Sequence, residues 1–127
     1  DKDILIPGNT EYSRDACAFV PAKLNSVLID KAANRGEYPL GVHLHKPLDK
    51  FAVRCQDGFG GRAHLGYFTT ALSAHRAWQL KKAEVIENVV YWYLSLTGSR
   101  QDVAYAMFKR AVKLRQDAGD GKETVKL

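Results

Sequence analysis

Three short runs in the middle of the chain alternate between apolar and polar side chains. They cover residues 41–46, 50–56 and 62–68, and the connections between them contain turn formers such as Pro47 and Gly58. A period of two residues is typical of strands with one buried and one exposed face, and short connections of this composition are typical of hairpins. The pattern therefore predicts a three-stranded antiparallel sheet with one face against a core.

The two faces of the predicted sheet differ in their chemistry. One face is apolar, at the positions Val42, Leu44, Phe51, Val53, Cys55, Ala63 and Leu65. The other face is basic, polar and rich in imidazole, at the positions His43, His45, Lys50, Arg54, Gln56, Arg62 and His64. We expect a helix to cover the apolar face, so that the polar face is exposed and available as a binding surface.

Two helices are predicted to follow the sheet. Thr69 and Thr70 can cap the first helix, which extends towards residue 96 and is expected to hold His75 at the surface. Its apolar stripe comprises Leu72, Ala74, Ala77, Trp78 and Val85. Ser99 is predicted to cap the second helix, with Asp102 at its third position. The apolar positions of that helix are Val103, Ala106, Met107, Ala111 and Leu114, and residues 118–127 are expected to fray.

The segment before the sheet has a different pattern. Residues 1–22 alternate short apolar pieces with turn formers, which predicts two short strands, and helical spacing then runs from Pro21 to before Gly36. The predicted fold class is α+β, with a three-stranded antiparallel sheet on a long helix, an N-terminal strand-strand-helix segment and a C-terminal helical hairpin. We divide the chain into residues 1–36, 37–87 and 88–127.

Composition favours a polyanionic partner and an intracellular location. Lysine and arginine outnumber aspartate and glutamate by 19 to 14, which gives a net charge of +5. The two cysteines, Cys17 and Cys55, lack metal-ligand spacing and lie in apolar contexts, so we expect free buried thiols in a reducing cytoplasm. No apolar run approaches the roughly 20 residues that cross a bilayer, and no secretory leader is evident. We expect no membrane contact.

The sheet and the helix after it resemble the ethylene-response-factor (apetala-two) DNA-binding domain. The family is marked by a Gly-Val strand, a Lys-Phe/Tyr-Ala strand, a Leu-Gly-x-Phe strand and a helix with spaced alanines before Trp or Tyr. The matching residues are Gly41, Lys50, Phe51, Ala52, Leu65, Gly66, Phe68, Thr70, Ala74 and Ala77. The resemblance implies that the exposed face of the sheet enters the major groove of duplex DNA.

The side chains that the resemblance assigns to DNA are those that alternation places on the polar face. They are His43 and His45 on the first strand, Arg54 and Gln56 on the second, and Arg62 and His64 on the third. Arginine can bind guanine through two hydrogen bonds, glutamine can pair with adenine, and Lys50 can neutralise a phosphate. The family usually has Arg or Trp where this chain has His, so its base preference cannot be carried over.

The N-terminal segment resembles the second half of an HNH nuclease finger, which often precedes an apetala-two module in bacteriophage homing-endonuclease-like proteins. The similarity rests on residues 1–9, 12–13, 17, 19–21 and 25. It implies that Asp1 holds a divalent metal such as Mg²⁺, but Lys2 stands at the usual place of the general-base His and Ala16 where Asn is common. We therefore assign no catalytic residue and expect no cofactor unless the finger is functional. A phage-encoded chain would work in the host cytoplasm.

Three functions remain open from the sequence. The first is binding of double-stranded DNA through the polar face of the sheet, without catalysis. The second is a protein-interaction or inhibitor module that uses the sheet and the aromatic helix segment Tyr91-Trp92-Tyr93, with the C-terminal helices contacting a protein partner. The third is an active metal-dependent HNH nuclease.

Overall fold

The computed structural model describes residues 21–28 and 37–127. The predicted strands of residues 1–20, Asp1, Cys17 and the continuation of the first helix after residue 28 lie outside the described residues. The described elements are α1 (Ala22–Val27), β1 (Val42–His45), β2 (Lys50–Gln56), β3 (Arg62–Phe68), α2 (Ala71–Leu94) and α3 (Gln101–Asp120). This sheet-and-helix arrangement is α+β, as the sequence pattern predicts.

The three strands form one antiparallel sheet with β2 in the centre. Between β1 and β2 the 3-10 turn Lys46–Leu48 is followed by Asp49 in the left-handed conformation, at φ 52°, which aspartate tolerates better than most residues. Residues 57–61 join β2 to β3, and Asp57 Oδ1 accepts hydrogen bonds from the amides of Phe59 at 2.7 Å and Gly61 at 2.9 Å. Both predicted connections are confirmed.

Helix α2 covers the apolar face of the sheet. It begins after Thr70, whose Oγ1 accepts a hydrogen bond from Ser73 N at 3.1 Å, so the predicted N-cap is confirmed. The core between sheet and helix includes Val42, Val53, Cys55, Ala74, Trp78 and Val85. Leu72 is 50% exposed, contrary to the prediction. It lies about 200° around the helix from Ala74, so the two side chains cannot both face the sheet.

The residue before β1, Gly41, packs closely against the indole ring of Trp78. Gly41 has φ +80°, and a Cβ atom at this position would collide with the Trp78 ring. Glycine tolerates this backbone conformation and leaves space for the ring. Gly41 therefore allows the start of β1 to lie directly against α2 at Trp78.

Helix α3 packs antiparallel to α2 and completes the core. The five apolar positions predicted for it are all buried: Val103, Ala106, Met107, Ala111 and Leu114. Its N-cap is Arg100 rather than the predicted Ser99, whose Oγ donates to Leu94 O at 3.5 Å. The amide of Arg100 donates to Tyr93 Oη at 2.7 Å, and the Asp102 carboxylate lies near the positive end of the helix dipole. These two interactions replace the expected side-chain cap.

His75 is fully buried, so its predicted surface position is wrong. Its Nδ1 lies 2.9 Å from Leu40 O, and its Nε2 accepts a hydrogen bond from Thr124 N at 3.0 Å. A carbonyl oxygen can only accept, so Nδ1 carries the proton and donates it to Leu40. The imidazole is buried because both of its nitrogens have backbone partners. It also stacks on Trp78.

The C-terminal residues pack against α2 instead of fraying. Gln79 Nε2 donates to Lys122 O at 2.8 Å and to Thr124 Oγ1 at 2.9 Å, and Thr124 Oγ1 donates to Asp117 Oδ2 at 2.7 Å. Thr124 is 1% exposed. The polar residues of this segment suggested a frayed tail, but they form the hydrogen bonds of a buried contact with α2.

Helix α1 packs against α2 through the buried side chains of Leu24 and Val27. On its other side Lys23 Nζ donates to Gly58 O at 3.0 Å, in the loop between β2 and β3. The same ammonium lies 4.5 Å from the centre of the Phe59 ring and 5.3 Å from that of Trp92. These cation-π contacts and the hydrogen bond hold α1 beside the tip of the second hairpin.

Candidate nucleic-acid interface

The antiparallel register joins the polar side chains of the sheet into one surface. Three directly opposed pairs link neighbouring strands: His45 with Lys50, Arg54 with His64, and Gln56 with Arg62. Cβ atoms of opposed residues lie about 4.5–5.5 Å apart, close enough for two side chains to contact one ligand. We call these six residues and His43 the basic face.

Tyr67 lies on the same side of the sheet as the basic face, although strict alternation from Arg62 would place it on the apolar side. The pairing of β2 and β3 shifts register between Val53 and Arg54, and Gly66 adopts φ +114° at this irregularity. The extra residue on β3 reverses the alternation, so Tyr67 lies opposite Ala52 and is 43% exposed. A glycine inside a strand pattern is a known sign of a bulge, and Gly66 was the available signal.

Rings cluster in the middle of the basic face. The ring of Tyr67 has its centre 5.0 Å from that of His45 and 5.0 Å from that of His64. Beneath this cluster, Ala52 is 1% exposed and has His43 and Tyr67 as its register partners on the two neighbouring strands. A larger residue at the position of Ala52 would push the rings apart. The small side chain therefore allows a continuous aromatic surface next to the cations.

All seven sequence-predicted residues of the basic face lie together on the outward side of the sheet. Lys50, Arg54, Gln56, Arg62 and His64 are exposed, whereas His43 and His45 are half-buried. No Asp or Glu occurs within the three strands. The grouping of these side chains is a property of the fold. Their role in binding DNA stays a prediction.

The cations of the basic face are not neutralised by neighbouring carboxylates. Among residues 21–28 and 37–127, Lys50, Arg54 and Arg62 take part in no ion pair within 4.0 Å. Asp57, at the end of β2, directs its carboxylate to the amides of its own loop. Three uncompensated charges on one face produce a positive potential that attracts a polyanion.

The positive charge of the basic face also acts on its own imidazoles. Partial burial lowers the pKa of His43, and the charges of Arg54, His45 and His64 lower it further. In the free protein this side chain is therefore neutral at a pH where an isolated histidine would already be partly charged. An anion bound at this face would raise the pKa of His43 again, because it favours the charged imidazole.

The part of the chain that the structure describes contains neither a cluster of metal-ligating side chains nor a helix that could span a membrane. No three His, Cys, Asp or Glu residues in that part converge on a point where a metal ion could be held. Asp1, the predicted metal ligand, lies outside it. No helix among the described elements combines the length and the apolar character needed to span a bilayer.

The aromatic segment of α2 does not form a single exposed patch. Tyr91 is 63% exposed, whereas Tyr93 is 3% exposed and its hydroxyl accepts the bond from Arg100. Trp92 packs edge-on against Phe59, with the ring centres 6.4 Å apart. Of the three predicted docking residues, only Tyr91 has most of its side chain exposed.

Comparison with known proteins gives no relative from which a function could be transferred. No protein-family model matches the sequence, no curated protein matches it, and no solved structure matches the fold. The chemistry of the basic face is therefore the basis for a functional proposal.

Proposed function

We propose that the protein binds duplex DNA by inserting the basic face into the major groove. The observation that carries the proposal is the collection of Arg54, Arg62 and Lys50 with three imidazoles and Gln56 on one exposed face, without a carboxylate in any strand. Arginine and glutamine are side chains that recognise guanine and adenine edges, and lysine neutralises phosphate. This set of groups suits a ligand that presents both base edges and phosphates, as duplex DNA does.

The dimensions of the sheet suit the groove. Neighbouring strands lie about 4.8 Å apart, so three strands span about 10 Å, against the roughly 12 Å width of the B-DNA major groove. The central position of β2 directs Arg54 towards the floor of the groove, while the outer strands approach its walls. Helix α2 supports the sheet from the opposite face and limits its bending on contact.

Binding to duplex DNA is expected to weaken steeply with salt. Each phosphate contact releases counterions, so three to five contacts should give a log-log slope of about −3 to −4.5. Fluorescence anisotropy with a labelled random duplex, at salt concentrations from about 50 to about 200 mM, measures this slope. Absence of binding at the lowest salt concentration would contradict the proposal.

DNA affinity is also expected to rise as the pH falls from about 7.5 to about 5.5. The pKa of His43 is lowered in the free protein by burial and by the neighbouring positive charges. Phosphates next to the basic face would favour the charged imidazole and raise its pKa, so binding should take up protons. Anisotropy titrations at constant ionic strength and several pH values measure the change. A flat profile would indicate that the imidazoles do not approach phosphate.

A second function, protein interaction, is favoured by the outer side of the α2–α3 hairpin. Tyr91 packs edge-on with Phe108, and Tyr91 and Tyr105 are each more than 60% exposed. Exposed aromatics of this kind are enriched in protein interfaces. Variants separate the two functions, because Tyr91→Ala and Tyr105→Ala would weaken binding to a protein partner and leave DNA binding unchanged.

A further inference from the structure

A small polar cleft lies where α1 meets the tip of the second hairpin. It has a volume of about 230 Å³ and is lined by Ser26, Gln56, Gly58, Gly60, Gly61 and Arg62. Gln56 and Arg62 are opposed across β2 and β3 and belong to the basic face. The cleft therefore continues the proposed DNA surface beyond the end of the sheet.

The walls of the cleft are held in place by several interactions. Gly58 has φ +84°, and a Cβ atom there would lie 2.6 Å from a methyl group of Val89, so the loop packs tightly on α2. Asp57 ties the loop through its bonds to the amides of Phe59 and Gly61. Lys23 links α1 to Gly58 O at 3.0 Å. A ligand would therefore meet a largely preformed site.

The polar groups at the cleft are suited to an anion. Among the described residues, the side chains of Arg62 and Gln56 have no hydrogen-bond partner, and the amide of Gly60 has none either. A Cβ atom on Gly60 would meet open space, so a ligand can approach the backbone there closely. Ser26 also lines the cleft, and its hydroxyl donates to Lys23 O at 3.0 Å. The available donors are thus a guanidinium, an amide side chain and a backbone N–H.

The charges around the cleft leave an excess of positive potential. Asp57 is ionised, since the amides of Phe59 and Gly61 lower the pKa of its carboxyl group. The charge of Lys23 lowers that pKa as well, as the smallest of these contributions, and so offsets the carboxylate in part. The guanidinium of Arg62 remains uncompensated. The cleft is smaller than the roughly 300–1,000 Å³ of sites for drug-sized ligands, so it suits a compact group.

We propose that this cleft binds a phosphate group, and that in the DNA complex this is a backbone phosphate at the edge of the major-groove contact. The second part rests on the proposed function. Arg62 then holds the sugar-phosphate backbone, while Arg54 contacts base edges. Guanidinium groups bind phosphate through paired hydrogen bonds, and glycine-rich loops allow backbone amides to approach it. Because Ser26 lies on α1, the contact would also fix the N-terminal segment relative to DNA.

The first test uses a charge introduced into the cleft. Ser26 and Ala22 are both exposed on α1, and only Ser26 lines the cleft. Ser26→Glu is expected to weaken binding to every duplex by about tenfold and to reduce the salt slope by about one unit. Ala22→Glu adds the same charge one turn away, outside the cleft, and should therefore weaken binding clearly less than Ser26→Glu. Arg62→Ala should reproduce the loss and leave the ranking of duplex sequences unchanged.

The second test uses inorganic phosphate as the probe. In amide NMR spectra at constant ionic strength, phosphate but not chloride should shift the signals of Gly60 and Gly61, and Ser26→Glu should abolish the shifts. Phosphate shifts without duplex binding would support a site for free phosphate and contradict the DNA function. The cleft proposal would be overturned if Ser26→Glu and Ala22→Glu weakened duplex binding equally and phosphate shifted no amide signals. The DNA function would then remain intact.

Discussion

Replacing His75 with alanine is expected to lower the free energy of unfolding by about 3–5 kcal/mol. The substitution leaves Leu40 O and Thr124 N without their bonds to the ring, and each unsatisfied buried group costs about 1–3 kcal/mol. The lost stacking on Trp78 adds a cavity term. Urea unfolding followed by circular dichroism measures the difference.

The neighbouring variant Arg76→Ala is the matched control. Arg76 is exposed on the same helix, so its loss should change the free energy of unfolding by no more than about 0.5 kcal/mol. Hydrogen exchange gives a second readout, because His75→Ala should also release the amide of Thr124. Equal stability of the two variants would contradict the account of His75 as the link between Leu40, α2 and the C-terminal residues.

Arg54→Ala is expected to weaken binding to a preferred duplex by about 1–3 kcal/mol, which is roughly a fivefold to 150-fold loss of affinity. Arg54 projects from the central strand opposite His64 and has no ion-pair partner among the described residues. A bidentate contact to guanine would disappear, so discrimination between duplex sequences should decrease as well. Competition anisotropy with a set of duplexes measures both effects.

Two further variants show whether the effect of Arg54 is specific. Lys50→Ala should weaken binding to all duplexes about equally and reduce the salt slope by about one unit. Tyr91→Ala, on the outer side of the helical hairpin, should leave DNA affinity unchanged. All three residues are exposed, so stability should change by no more than about 0.5 kcal/mol. A Tyr91→Ala variant that loses DNA binding while Arg54→Ala keeps it would contradict the assignment of the basic face.

The sheet and most of the basic face could be predicted because alternation is a local property. Residues such as Arg54 and Val53 are neighbours in sequence, so a period of two assigns them to opposite faces without knowledge of the rest of the fold. The same holds for the capping of α2 by Thr70, which depends on a contact three residues away. Of the N-terminal prediction, the start of the helix after Pro21 is described as α1, whereas the two strands before it and Asp1 fall outside the described residues.

The predictions that were wrong or incomplete depend on contacts distant in sequence or on a local irregularity. His75 is buried because Leu40 and Thr124, 35 and 49 residues away, supply its partners, and no periodicity within α2 reveals this. The same long-range bonding explains the ordered C-terminal contact. Tyr67 was not identified from the sequence, because a bulge at Gly66 reverses the alternation of β3 and brings this side chain to the polar face. A glycine inside a strand pattern can be recognised from the sequence as a candidate bulge site.

The most direct test of the central claim is an NMR titration of the labelled protein with a short duplex. Amide shifts are predicted to concentrate in β1, β2 and β3, and the Nε–H signal of Arg54 should move as the complex forms. The outer residues of α2 and α3, including Tyr91 and Tyr105, should be unaffected. Shifts that concentrate on this helical surface, or a spectrum that duplex DNA leaves unchanged at low salt, would contradict the proposal that the basic face binds DNA.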